Sequence, residues 1–585
     1  MKVQKSVLNM LKSLFGTGIL ALHLGCAKTS STPSDIGSSL GFGIGFKAFC
    51  NTEKAFDPTT TTIPIVGTAL YTPLLASKSG LSEIGSPQPI RFAEVLILNS
   101  DGEVIQCGET DNTGAFALNL AGTAGSYTLA VNSRANNSHL KLQVLADPTT
   151  KQFYSVVALF SIAGGEPQID LGQINASYTG NIEAGAFNIY DQILKTNDYL
   201  RLHSGQCSGC LAFDVAPLLY VYWKKGFNPG SYYGYGPLSF YDSESKGMFI
   251  LGGSNNDVDR SDTDHFDNSV IIHEYGHFLE DTYAVPDSPG GSHNGNAIID
   301  PRLAWGEGFA DFFQAAIRNE PDYIDTYGNI NGSTGLNIYV KINSTPATAD
   351  MDVPSALGEG NFREFSITRA LWAIIQPNGL DFSFLWHALA DPTLGMKNSN
   401  YSFRNVGLYY EILTSLVTTK DNSKTSFLAA AIGTELQRPN RLDYGLPLST
   451  SGNCSSSKPF SIQGADEHRS YAGQSEYAFS NLFESNDFFQ ITHEGGAFDL
   501  QLFYDTGSPA TDLDLFIYKE DYVYGESATM AGAARTRHDT GSERVASPNL
   551  AAGNYLINVK VYTLNGLGSS VQYGLTYNGG SLCPQ

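Results

Sequence analysis

The sequence predicts a multidomain α+β protein, with a central unit of mixed sheet and helices that continues into further helices, flanked by two β-sandwich domains. Three observations carry this expectation. A chain of 585 residues exceeds what one hydrophobic core organises. Short alternating strands broken by Asp, Asn and Gly turns occupy 91–131 and 498–577. Between them, apolar residues recur at helical spacing over 269–280, 303–317 and 365–375.

The chain opens with Lys2, Lys5 and Lys12, then an apolar run over 14–24 and Gly25-Cys26. The run is shorter than the roughly 20 residues a membrane span needs, so 1–25 reads as a signal peptide. Leu22-His-Leu-Gly-Cys26 resembles a bacterial lipobox, which implies a lipid on Cys26 and a membrane partner through that lipid. The expected location is the bacterial cell envelope, at the outer membrane or cell surface, with ordinary secretion as the alternative. Residues 26–89 are expected to be tether and linker, since 28–39 is rich in Ser and Thr.

Charged residues make up only 16% of the chain and the formal net charge is −23, which argues against nucleic acid as a partner. Besides Cys26 the chain carries Cys50, Cys107, Cys207, Cys210, Cys454 and Cys583, an even set that permits disulfides in an exported protein. Cys454 with Cys583, bracketing the last domain, is the preferred pair. Cys207-Ser-Gly-Cys210 is expected to form a local disulfide, because zinc would need a second such pair.

Residues 90–146 form the first expected β-sandwich. Thr110-Asp-Asn-Thr-Gly-Ala-Phe116 followed by Gly125-Ser-Tyr-Thr-Leu129 resembles the transthyretin-like, carboxypeptidase-regulatory-like domains, which implies spacing or binding rather than chemistry. The unit from 150 to 445 begins with an amphipathic helix over 184–203, then strands at 218–223 and 247–251. An acidic loop follows, with Asp257, Asp259, Asp262, Asp264 and Asp267. Oxygen ligands at alternate positions suit calcium, but the central Gly and closing Glu of an EF-hand loop are missing, so a solvated loop is favoured. Arg369, on the helix starting near 365, has two readings, a reach toward substrate or a solvated face, of which the solvated face is favoured. A Ser, Gly and Pro-rich linker covers 446–460, and 461–585 forms the second sandwich. Its Thr511-Asp-Leu-Asp-Leu-Phe516 and Gly553-Asn-Tyr-Leu556 resemble the bacterial pre-peptidase C-terminal domain.

The chemistry centres on His273-Glu-Tyr-Gly-His277. On a helix the two imidazoles lie one turn apart on one face and can grip one metal ion, with Glu274 beside them. Asp267 or Asn268 is the expected N-cap. A second helical pattern over 303–317 carries Glu307 and Asp311, also one turn apart, and Glu307 would complete a two-His, one-Glu zinc set.

These residues resemble the gluzincin zinc metallopeptidases, the thermolysin- and fungalysin-like group, whose fold has two lobes with a helical second lobe closing the cleft. The resemblance implies one catalytic zinc held by His273, His277 and Glu307, Glu274 as general base, and Asp311 orienting His273. It also implies that the strand Met248, Phe249, Ile250 and Leu251 is an edge that aligns protein or peptide substrates. His293, the one titratable ring of the following loop, is a candidate to stabilise the tetrahedral intermediate. The expected function is an exported, lipid-anchored zinc endopeptidase. The alternative is an inactive surface adhesin or binding lipoprotein on a peptidase fold, and a hydrolase of non-peptide bonds is a third reading.

Overall fold

The computed structural model describes residues 49–50, 52–230, 237–286, 288, 290, 293, 299–328, 336–341, 363–398, 403–435, 446–449, 454, 456–463, 486–505, 512–519, 532–534, 541–563 and 570–584. The signal segment and Cys26 lie outside them. The protein is a mixed α+β molecule with seven α-helices among the described residues.

The N-terminal β unit starts earlier than composition implies. Thr62–Tyr71 alternates buried and half-buried residues and pairs antiparallel with Ala115–Ala121 and parallel with Ile169–Ala176. Within the stretch expected as linker, 62–71 and 88–89 therefore belong to this sheet, where Ile63 and Ile65 are buried in the core, and 74–77 with 80–84 form a separate two-stranded sheet. The facing sheet runs in the order Ser155–Ile162, Gly125–Asn132, Glu94–Leu98, Val104–Glu109. The Asp111–Ala115 turn forms because Asp111 Oδ1 accepts the N–H groups of Thr113 and Ala115. Gly114 closes it at φ 78°, where a Cβ would sit 2.5 Å from the Ala69 carbonyl oxygen.

The chain does not finish this unit before starting the next. It leaves after Asn132 to lay down β1 (Arg134–Asn136) and β2 (Lys141–Leu145), then returns to complete the two N-terminal sheets. The sheet they found has the order β4 (Phe240–Asp242), β5 (Gly247–Phe249), β3 (Leu219–Tyr222), β2, β1. One continuous apolar core runs from Ile63 through this sheet to Ile432. The boundary expected near 146–150 is therefore absent, because apolar faces of both units share one interior.

At the junction Glu94 and Arg134 form a fully buried bidentate pair, with Arg134 Nε 2.6 Å and Nη2 2.8 Å from the two carboxylate oxygens. Asn132 Nδ2 and the Cys50 N–H also donate to Glu94, so the buried anion is fully surrounded.

Helix α1 (Glu183–His203) lies on the sheet with Phe187, Ile189, Tyr190, Ile193, Leu194 and Leu200 buried. Helices α2 (Asn268–Tyr283), α3 (Pro301–Arg318), α4 (Glu364–Ile374), α5 (Phe382–Ala390), α6 (Val406–Lys420) and α7 (Thr425–Glu435) follow, with β6 (Asp322–Thr326) between α3 and α4. Arg369 on α4 is 4% exposed, so the expectation of a solvated face fails.

The C-terminal strands build a separate core around Leu500, Leu513, Ile557 and Tyr573. Leu446–Ser449, expected in a linker, is a strand of this unit paired with Asn486–His493 and Gly580–Pro584. Three disulfides join Cys50 to Cys107, Cys207 to Cys210 and Cys454 to Cys583. The last two match the expected pairs.

Glu94→Ala leaves the Arg134 guanidinium buried without its carboxylate and should lower stability by about 3–5 kcal/mol. Replacing both by apolar residues, Glu94→Leu with Arg134→Met, should recover most of that loss. Thermal unfolding of the three proteins checks this, and equal melting temperatures for Glu94→Ala and wild type would refute it.

Candidate metal centre

Helix α2 carries the motif, and its first turn is tied to β6 by polar contacts rather than by a side-chain cap. Asp267 occupies the N-cap position, yet its carboxylate turns away to accept the Thr326 N–H at 2.6 Å and the Thr326 hydroxyl at 3.1 Å. Ser269 Oγ accepts the Ile324 N–H at 3.0 Å. Helix α3 starts more regularly, with Asp300 accepting the Arg302 N–H and Pro301 in the first turn.

Two glycines set how closely the helices approach. A Cβ at Gly276 would lie 3.3 Å from Phe313 and 3.5 Å from the Ala310 Cα, so α3 packs against the bare backbone of α2. A Cβ at Gly308 would meet the Glu364 carbonyl oxygen at 2.7 Å, which brings the start of α4 onto α3. The result is that side chains from three helices reach one buried point.

His273 Nε2 and His277 Nε2 lie 3.0 Å apart, and Glu307 Oε2 sits 3.3 Å from the first and 3.2 Å from the second. All three residues are buried. Asp311 Oδ1 is 3.0 Å from His273 Nδ1 and so orients that ring from behind. Burial alone would lower the His273 imidazole, but the hydrogen bonds its ring donates to Asp311 and Glu307 outweigh it and push it up to about 9. Glu307, although buried, is held well below the usual carboxylate range by His293, His277 and His273. Glu274 lies one residue on, with both oxygens buried and no close hydrogen bond; burial raises its pKa against the opposing pull of His273 and His277. Two imidazole nitrogens and one carboxylate oxygen, converging with no hydrogen bond from another group on Glu307, form a donor set that fits a catalytic zinc ion.

His293 is brought to the same place. Its Nε2 stands 3.5 Å from Glu307 Oε1 without a hydrogen bond, and its Nδ1 is 2.8 Å from Glu364 Oε2. Burial lowers the His293 imidazole. Burial, together with the charges of Asp311 and Glu307, raises Glu364 well above the usual carboxylate range. Sequence reasoning missed Glu364, because an acid in the first turn of a helix ordinarily reads as a partner for the helix dipole.

The expected substrate edge is corrected. Met248 and Phe249 lie in β5, hydrogen-bonded to β3 on one side and β4 on the other. Ile250 N–H goes to the Tyr222 carbonyl and Leu251 N–H to Ser239 Oγ, so this segment has no free edge. The terminal strand of the sheet among the described residues is β4, and the main chain of Tyr241 lies beside the Glu274 carboxylate.

Asp311→Ala removes the orienting partner of His273 and should weaken zinc binding by about 10–100-fold, whereas Glu307→Ala should abolish stoichiometric zinc. Competition with a chromophoric chelator measures both. Wild-type affinity in Asp311→Ala would remove it from the site.

Residues 212–351 match the family model described as the Mycolysin C-terminal domain, a span that contains His273, Glu274, His277, Glu307 and Asp311. The match marks this part of the chain as peptidase-related. Among solved structures, the pre-peptidase C-terminal domain of a collagenase from Bacillus anthracis is similar at 12% identity over 16% of this chain and 79% of its own, with a TM-score of 0.13, too low to carry an argument about fold. No curated protein matches the chain.

Proposed function

We propose that this protein is an exported zinc endopeptidase, anchored to the bacterial envelope by a lipid on Cys26. The observation that carries the reading is the convergence of His273, His277 and Glu307 on one buried point, with Asp311 behind the first ligand and Glu274 beside it. The match over 212–351 supports it, since mycolysin is a zinc metalloprotease family. Among the described residues no helix is long and apolar enough to cross a membrane.

His273, His277 and Glu307 would hold the metal, which when bound supplies a water of pKa about 7 and polarises the scissile carbonyl. Glu274 takes the proton from the attacking water and passes it to the leaving amine, a transfer helped by a carboxylate whose burial makes it more basic. Asp311 keeps His273 turned so that Nε2 faces the metal point. His293, braced at Nδ1 by Glu364, offers Nε2 to the developing oxyanion.

Zinc content and cleavage of an unstructured protein test the reading in wild type and Glu274→Gln. Wild type should carry one zinc and cleave; Glu274→Gln should keep the zinc and lose about 10²–10⁴-fold in rate. Zinc with no cleavage by wild type would favour the adhesin reading. Undiminished cleavage by Glu274→Gln would reject Glu274 as base. His293→Ala should lower kcat by about 10²–10³-fold with KM little changed. A rise in KM alone would place His293 in substrate binding instead.

A further inference from the structure

The two ligand helices start from buried acids, which are held by different parts of the chain. The acidic loop ahead of α2, expected to be solvated, is buried at Asp264 and Asp267, and Asp267 binds β6 within the same unit. Ahead of α3 the buried acid is Asp300, and its partner is Arg302, two residues on. A cation in the first turn of a helix opposes the helix dipole, so helix formation alone does not favour arginine there. The side chain folds back instead, with Nε 3.0 Å from Asp300 Oδ1 and Nη2 2.8 Å from Oδ2. Its Nη1 donates to the hydroxyl of Tyr518 at 3.0 Å, across 216 residues of sequence.

We propose that the C-terminal unit clamps the first turn of α3 through Tyr518 and Arg302, and that Arg302 is thereby a positioning residue for Glu307. The effect on a metal rests on the zinc reading; the clamp does not. The guanidinium lies over two rings, its carbon 4.6 Å from the centre of Phe403 and 5.1 Å from that of Tyr518. Phe403 leads into α6 and takes φ 54°, a left-handed conformation that is costly for so bulky a side chain. Contacts keep it there: its ring packs 5.4 Å from Phe488 and 5.3 Å from Tyr518 of the C-terminal strands, and the adjacent Arg404 donates to the Met396 and Asn398 carbonyls. Arg302, Phe403 and Tyr518 are all buried. Burial would raise the Asp300 carboxyl, but Arg302, and after it Lys560 of the strand Gly553–Thr563, hold it below the usual range.

The two hydrophobic cores stay separate at this junction. Leu303 and Trp305 of α3 belong to the core that runs through the central sheet, and Leu513 and Ile557 to that of the C-terminal unit. What crosses between them here is a cation, its carboxylate and aromatic rings. Such a contact is directional where an apolar one is not, because the planar fork of arginine fixes both the position and the angle of the helix end. Glu307 follows Arg302 by five residues on the same helix. A shift of this end is therefore carried to the carboxylate that stands 3.2–3.3 Å from both imidazoles.

In the full-length protein, Tyr518→Ala should speed amide hydrogen exchange over 302–307 and weaken zinc binding by about 2–30-fold in chelator competition, although Tyr518 lies outside the ligand helices. Tyr518→Phe, which keeps the ring and loses the hydroxyl, should fall between this variant and wild type. Arg302→Lys, which keeps the charge but not the fork, should behave like Tyr518→Ala. Adding Tyr518→Ala to Arg302→Ala should cost no more zinc affinity than Arg302→Ala alone. Tyr577→Phe breaks a contact with His493 Nδ1 elsewhere in the C-terminal unit, and should leave both readouts at wild-type values even where it lowers the melting temperature. Wild-type exchange and zinc affinity in Tyr518→Ala would overturn the proposal, as would equal effects from Tyr577→Phe. A wild type that binds no zinc would sink the zinc reading alone. Exchange over 302–307 would then decide the clamp, with unchanged rates in Tyr518→Ala rejecting it and faster rates upholding it.

Discussion

The close contact between α2 and α3 at Gly276 is the constraint on which the candidate metal centre depends. Without a side chain there, Phe313 and the backbone of Ala310 lie in van der Waals contact with the motif helix. Glu307, one turn earlier on α3, is then carried to 3.2–3.3 Å from both imidazoles. A larger residue would push the helices apart by a fraction of an ångström or more, and a three-ligand site tolerates little such displacement. Gly308 repeats the device on the other side of α3, and it is this second approach that delivers Glu364 to His293.

Buried charge is the other organising feature. Glu94 is answered by Arg134 and Asp300 by Arg302, whose Nη1 also donates to Tyr518 of the C-terminal strands at 3.0 Å. That last bond ties the start of the Glu307-bearing helix to the C-terminal unit. At Glu307 the neighbours are two imidazoles rather than a guanidinium, a donor set that fits a metal ion.

The N-terminal sheets are part of the same body. Because the chain lays down β1 and β2 before completing the outer sheets, the apolar faces cannot separate into two cores, and Glu94 of one unit meets Arg134 of the other. A strand's alternating pattern tells which of its faces is buried but not which sheet it joins, and this is why the expected boundary was misplaced.

What the sequence determined by itself was local. The period of α2 and α3 put His273 with His277, and Glu307 with Asp311, on single helix faces, whereas the partnership of Asp311 with His273 was implied only by the family resemblance. Cysteine placement forecast two disulfides for a similar reason, since one pair is local and the other brackets a domain. Tertiary structure decided everything that joins distant segments. It put Asp325 beside Asp264, Glu364 beside His293, and β4 rather than β5 at the end of the sheet. Periodicity encodes which residues share a face, whereas the meeting of two faces depends on shape, on where a glycine admits a neighbour, and on which buried charge must find a partner.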